Sequence, residues 1–121
     1  MIQTKRAYEP AARGDGARYL VERLWPRGVT REKAALTAWL KEVSPSPELR
    51  KWYAHDPAKW PEFQKRYREE LKDEAHRPAL EELRQAARKG PVTLIYAAHD
   101  EERNSAAVLQ QVLAGHATGA H

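Results

Sequence analysis

The sequence predicts an α/β fold: one domain built on a small, mostly parallel sheet of about four strands flanked by helices. Three observations carry that prediction. The run Val92-Thr-Leu-Ile-Tyr-Ala-Ala98 is almost wholly apolar, as befits a strand covered on both faces in the middle of a parallel sheet. Strand-like segments alternate with segments of helical spacing along the chain. Finally, 121 residues give room for one core but hardly for two. Residues 1–115 are therefore read as a single domain and 116–121, small and polar, as a frayed tail.

Taken in order, Ile2 to Arg6 alternates briefly and is the first strand candidate. Tyr8 to Gly16 holds Pro10, Gly14 and Gly16 in a polar context and reads as a loop. Tyr19 to Leu24 is the second strand, ended by Trp25-Pro-Arg-Gly28, because proline cannot continue a ladder and glycine permits a sharp turn. Thr30 is placed to cap a short helix reaching Ala34 or Ala35. Leu36 to Val43 fits both periodicities; a strand bounded by Ser44-Pro45 is favoured.

Ser46 before Pro47 is a helix start, a hydroxyl cap followed by proline at the first helical position. Leu49, Trp52 and Tyr53 then share a face. Asp56-Pro57 repeats the device and opens a helix with Trp60, Phe63, Tyr67 and Leu71 as its apolar stripe. Pro61 lies one turn inside, where it removes a hydrogen bond and crowds the preceding turn, so a kink or restart is expected. Ala79 to Arg88 is the next helix, with Leu80, Leu83 and Ala87 inward and Gly90-Pro91 as its stop. After the apolar strand, a last helix runs from Glu101 to Leu113 with Asp100 as cap and Gly115 as terminator.

The sequence contains no cysteine, which excludes disulfides, thiolate metal sites and thiol catalysis. Absent cysteine, one Met, one Asn and heavy use of Arg, Glu and Pro fit a heat-adapted protein and equally a high-GC coding bias. No apolar run approaches the ~20 residues of a membrane span, and no apolar stretch follows the N-terminal charges. The cytoplasm is the expected location, with no membrane contact. The 21 basic residues exceed the 17 acidic ones by four, a balance that leans towards anionic partners. From Lys65 to Glu82 the two signs interleave, as on a solvated helix face.

In open sheets of this class, ligands collect beyond the carboxyl ends of the strands. Two such ends are rich in chemistry here, Arg23 to Gly28 and Tyr96 to Asp100. Arg23 and Arg27 are candidates for a fork that grips phosphate or carboxylate, with Gly28 letting the backbone approach; alternatively one arginine pairs with Glu22 or Asp100 and fixes the turn. Trp25 is placed to stack a planar ligand or to fill the core. His99 and Asp100 follow the apolar strand directly, and Asn104, four residues on, shares a helical face with Asp100 from which both orient a water or hydroxyl. Tyr96 joins the same edge, or stays in the core with its hydroxyl tethered. His55 and Asp56 form a possible acid–base pair, although a cap and a helix end explain them as well.

These segments resemble a known family. Val21-Glu-Arg-Leu-Trp-Pro-Arg-Gly-Val29 is similar to the signature of the YeaO-like proteins, small bacterial and archaeal proteins that form a domain-of-unknown-function family. Further blocks follow in the family's order: Trp39 to Ser46, Leu49 to Pro57, and Thr93 to Glu102. The resemblance spans Ile2 to Leu113 and implies a conserved protein whose activity is not established. Two departures stand out. Glu22 replaces the signature's usual Asp, and the cysteines that longer relatives carry near the strand end matching Tyr96 have no counterpart here.

The expectation that follows is a small-anion site at the carboxyl edge of the sheet, made by Arg23, Arg27 and the Tyr96–Asn104 segment. Two alternatives remain: nucleic-acid binding, on net charge, arginines and four tryptophans, and a protein-interaction module docking through the Trp60–Leu71 face. No dinucleotide, phosphate-loop, nucleophile-elbow or zinc motif occurs. The five histidines lack metal-ligand spacing. The reading includes no metal and no cofactor. Catalysis stays open, because no nucleophile, base and orienting group assemble from sequence alone.

Overall fold

Four parallel strands lie in the order β1-β4-β2-β3 in a computed structural model that describes residues 1–115. The strands are β1 (Ile2–Arg6), β2 (Ala17–Leu20), β3 (Ala38–Trp39) and β4 (Val92–Tyr96). β4 comes last in sequence yet sits in the middle, with Thr4 and Tyr19 flanking Leu94 in register. All five of its residues are buried, which is why its sequence has no polar face. The expected frayed tail, 116–121, lies outside the described residues.

Alternation along the strands divides two cores. Tyr19, Val21, Val92, Leu94 and Tyr96 face the main core. The helices over it are α2 (Pro47–Tyr53), α3 (Trp60–Leu71), α4 (Arg77–Lys89) and α5 (Ser105–Leu113). Leu20 and Ile95 point the other way, into a smaller cluster with Ala7, Val29 and Ala34. That side is covered by α1 (Arg31–Ala34) and loops instead of long helices. Beside this second cluster Asp15 is buried between Lys5 (2.9 Å) and Arg18 (2.5 Å). Thr93 Oγ1 adds a hydrogen bond to the Asp15 carbonyl at 2.7 Å.

Local chemistry sets most boundaries. Thr30 accepts the Lys33 N–H and Ser46 the Leu49 N–H, each at 3.1 Å, so both caps form as their sequences require. Asp56 accepts the Ala58 N–H at 3.0 Å and opens a 3-10 turn over Pro57–Lys59. The helix restarts at Trp60, placing Pro61 in the first turn where its missing N–H is not needed. The expected restart is therefore present. Phe63, Tyr67 and Leu71 are buried, and the Tyr67 hydroxyl donates to the Val43 carbonyl. That stripe is used inside the fold, so the docking face expected on it is not exposed.

Five boundaries differ from the sequence reading. β2 spans Ala17–Leu20 and not Tyr19–Leu24. Val21 N–H still bonds the Ile95 carbonyl at 3.1 Å, but beyond it the partners run out. β4 likewise stops at Tyr96 and not Ala98. The Ala97 N–H goes to the Glu22 carboxylate at 3.0 Å, and the Ala97 and Ala98 carbonyls accept from Arg6. Of Leu36–Val43, only Ala38–Trp39 joins the sheet; Lys41–Val43 is a 3-10 turn.

α4 starts at Arg77, two residues before Ala79, with Pro78 in the first turn. α5 starts at Ser105 rather than Glu101, because Asn104 and not Asp100 is its cap: Asn104 Oδ1 accepts the Ala107 N–H at 2.8 Å.

Candidate functional site

Beyond the carboxyl ends of β2 and β4 the chain leaves a cleft of about 400 Å³. One wall is the segment after β2, Glu22 to Leu24; the second comes from α2 and its exit; the third is the turn into α5. Four cationic side chains line it: Arg23, Arg50, Lys51 and Arg103, with His55 beside them. The Arg23 Nη2 donates to the Pro45 carbonyl at a long 3.5 Å, and its Nε is buried without a hydrogen-bond partner. A buried guanidinium N–H left unpaired carries a desolvation cost of about 1–3 kcal/mol. Arg50 and Lys51 are exposed, and neither side chain is engaged by an acid at salt-bridge distance.

The acidic groups nearby are occupied. Glu22 accepts the Ala97 N–H. Asp100 accepts the N–H groups of Glu102 and Arg103, both at 2.9 Å. Those two backbone hydrogen bonds, Arg103's first, lower its carboxyl pKa against a small opposing effect of burial, and the Arg103 charge adds to the lowering. Arg103 Nη1 lies 3.7 Å from Asp100 and 4.0 Å from Glu102, a loose contact that leaves the guanidinium free to turn. At the base of the cleft Tyr53 and Phe63 pack with centroids 4.5 Å apart. Burial raises the Tyr53 pKa, the Asp100 charge adds to that, and Arg103 opposes it.

The backbone brings His55 to the cleft by an uncommon route. Ala54 and His55 are consecutive residues with positive φ, 47° and 58°. Left-handed geometry costs about 1–2 kcal/mol for each residue with a Cβ, and such strain tends to collect where a site needs it. The His55 ring lies 6.3 Å from that of Tyr53.

Of the residues singled out from sequence, Arg23, His55 and Asn104 meet in this cleft. Arg27 is exposed and lies outside the lining, so it does not join Arg23 there. Trp25 serves packing: its indole donates to the Val29 carbonyl at 2.6 Å and its ring meets Trp39 edge-on at 5.5 Å. Gly28 supplies the positive φ of 78° that the bend needs. Tyr96 is buried in the main core, where burial and then the charges of Glu101 and Glu9 raise its pKa. His99 is exposed outside the cleft, and Asp56 is spent as a cap. Asp100 and Asn104 share no helical face. Asn104 Nδ2 instead donates to the Asp100 carbonyl at 2.9 Å, within the turn it caps.

Arg50, Lys51 and Arg103 were not singled out from sequence. On α2 the first two follow Leu49 as an ordinary solvated helix face, and only the return of α2 over the strand ends turns them into a wall.

A larger open groove, about 990 Å³, runs along α3 and α4. Of its cations, Lys72 and Arg77 pair with Glu69 and Glu74, while Lys65, Arg68 and Arg84 meet no acid at salt-bridge distance among the described residues, and Arg68 Nε is buried without a hydrogen-bond partner. The cleft is the better candidate because it lies beyond the carboxyl ends of β2 and β4, where open sheets of this class collect ligands. Among the described residues no helix is long and apolar enough to cross a membrane.

Comparison with known proteins places the chain. The family model described as the inactive DUF488-N3 subclade matches residues 1–120. Uncharacterised proteins of Mycobacterium bovis and Mycobacterium tuberculosis are each 43% identical over 114 residues, 94% of either chain. The uncharacterised protein YeaO of Escherichia coli is 43% identical over 108 residues, covering 89% of this chain and 92% of that one. No solved structure matches. Similarity of this extent, carried along nearly the whole length, means that the chain belongs to the YeaO-like proteins of the inactive DUF488-N3 subclade.

Proposed function

We propose that this protein binds a small anionic ligand, bearing phosphate or carboxylate, in the cleft at the carboxyl edge of the sheet. The observation that carries the reading is the unpaired, buried Nε of Arg23 in a lining that also holds Arg50, Lys51 and Arg103. Among the described residues the long 3.5 Å bond to Pro45 is all that holds the guanidinium. Once it turns into the cleft, an anion supplies the acceptor its Nε lacks, offsetting a desolvation cost already present in the folded chain. The amino end of α5, capped by Asn104, borders the same space and adds the positive end of its dipole. The binding set is accordingly Arg23, Arg50, Lys51 and Arg103, with Asn104 shaping the turn. The description of the family as inactive favours binding over catalysis, and the cleft pairs no nucleophile with a base.

Thermal denaturation with inorganic phosphate tests this. Millimolar phosphate is expected to raise the melting temperature of the native chain. Arg23→Ala is expected to weaken binding about tenfold or more, the value of a hydrogen bond to a charged group. Arg27→Ala, outside the cleft, is expected to behave as the native chain. An absent shift, or equal shifts in the native and Arg23→Ala proteins, overturns the proposal.

A further inference from the structure

We propose that the anion taken by this cleft is carried on an aromatic ring, so that an aryl phosphate or aryl carboxylate is its ligand class. The inference rests on the anion reading above and deepens it. An inorganic ion needs cations alone and fills a small part of about 400 Å³, a volume in the range of sites that enclose an organic molecule. Beside Glu22, His55, Asn104 and Ser105, the remainder of the lining is apolar. Tyr53 and Phe63 form the base, and Pro45 and Leu24 form a wall.

Leu24 is 69% exposed and packs in neither hydrophobic cluster. A large aliphatic side chain left in water beside a cationic cleft gains nothing for the fold, but it gains when a ligand covers it. In the same lining, the left-handed pair Ala54–His55 holds an imidazole ring at the cleft. An arginine suits the same ligand, since a guanidinium binds an anion along its edge and stacks a ring on its face. A ligand that joins a charged group to a flat apolar body matches a lining that offers both cations and apolar surface.

Calorimetric titration of the native chain with inorganic phosphate, phenyl phosphate and butyl phosphate tests the proposal. Phenyl phosphate is expected to bind roughly two- to tenfold tighter than inorganic phosphate, the range that one aromatic contact supplies, and tighter than butyl phosphate. In Leu24→Ser, the ratio of phenyl phosphate to inorganic phosphate affinity is expected to fall towards one. Equal affinities for phenyl and inorganic phosphate overturn the aromatic ligand while leaving the anion site standing. Butyl phosphate matching phenyl phosphate overturns the preference for a ring, and a ratio unchanged in Leu24→Ser overturns its placement. Binding of none of the three overturns this proposal and the anion reading together.

Discussion

Glu22 fastens the end of β2 to the end of β4: its Oε2 accepts the Ala97 N–H at 3.0 Å. The Glu22 carbonyl accepts the Trp39 indole N–H at 2.6 Å, so this residue also reaches β3. One side chain thereby replaces the ladder at the point where both strands stop, and the cleft begins where it sits.

Replacing Glu22 separates its two effects. Glu22→Ala leaves the Ala97 N–H without its charged acceptor and is expected to lower stability by about 1–3 kcal/mol. Glu22→Gln keeps an acceptor, costs less, and removes the negative charge from the cleft, so phosphate should bind more tightly. Urea denaturation measures the first effect and phosphate titration the second. Weaker phosphate binding by the Gln variant would contradict the proposed site.

Asp15 governs the acid limit. Burial of its carboxyl acts to raise its pKa, but hydrogen bonds from Lys5, the Ala12 N–H and Arg18, together with the Lys5 charge, outweigh burial and lower it. A folded-state pKa below the unfolded one gives stability that is fully present above the ordinary value of 3.8. That stability is lost as pH falls through the lower, folded value. Stability measured by denaturation from neutral pH downwards should therefore decline below about pH 4. Asp15→Asn strands two cations, and breaking a buried pair in this way is expected to cost about 3–5 kcal/mol at neutral pH. The same variant should show a shallower acid slope; an unaltered slope would assign the acid sensitivity to other carboxyls.

Gly16 admits no side chain. A Cβ there would lie 2.1 Å from the Pro91 carbonyl oxygen, which accepts the Ala17 N–H at 3.0 Å, and the residue has φ of +64°. Overpacking and backbone strain act together, so Gly16→Ala is expected to lose about 3 kcal/mol or more. Gly14→Ala, with nothing within 4 Å of the new Cβ, is the control and should melt near the native temperature. Similar melting of both variants would contradict the close approach.

Features set by neighbouring residues were legible in the sequence: the Thr30 and Ser46 caps, the restart at Pro61, and the buried centre of the sheet in Val92–Tyr96. Features set by distant partners were not. Nothing between Tyr19 and Leu24 says that pairing ends at Val21, because the limit comes from the β4 segment and from a side chain that caps it. The start of α5 was misplaced because Asp100 and Asn104 are both competent caps; Asp100 is consumed by the preceding turn. The cleft was legible in part, through Arg23, His55 and Asn104, since strand exits and turns carry recognisable residues. Arg50, Lys51 and Arg103 became lining residues through the return of α2 and the turn into α5, a tertiary relationship with no local signature.

The place of β4 in the sheet also bears on synthesis. A nascent chain releases β1 and β2 early, yet the strand that must slide between them leaves the ribosome only after α2, α3 and α4. Until then both early strands carry open edges, templates on which other chains can pair. The helical excursion, rich in short-range contacts, can condense first and shelter them. Arrest of translation before Val92 would thus leave a nascent chain prone to aggregate and dependent on chaperones.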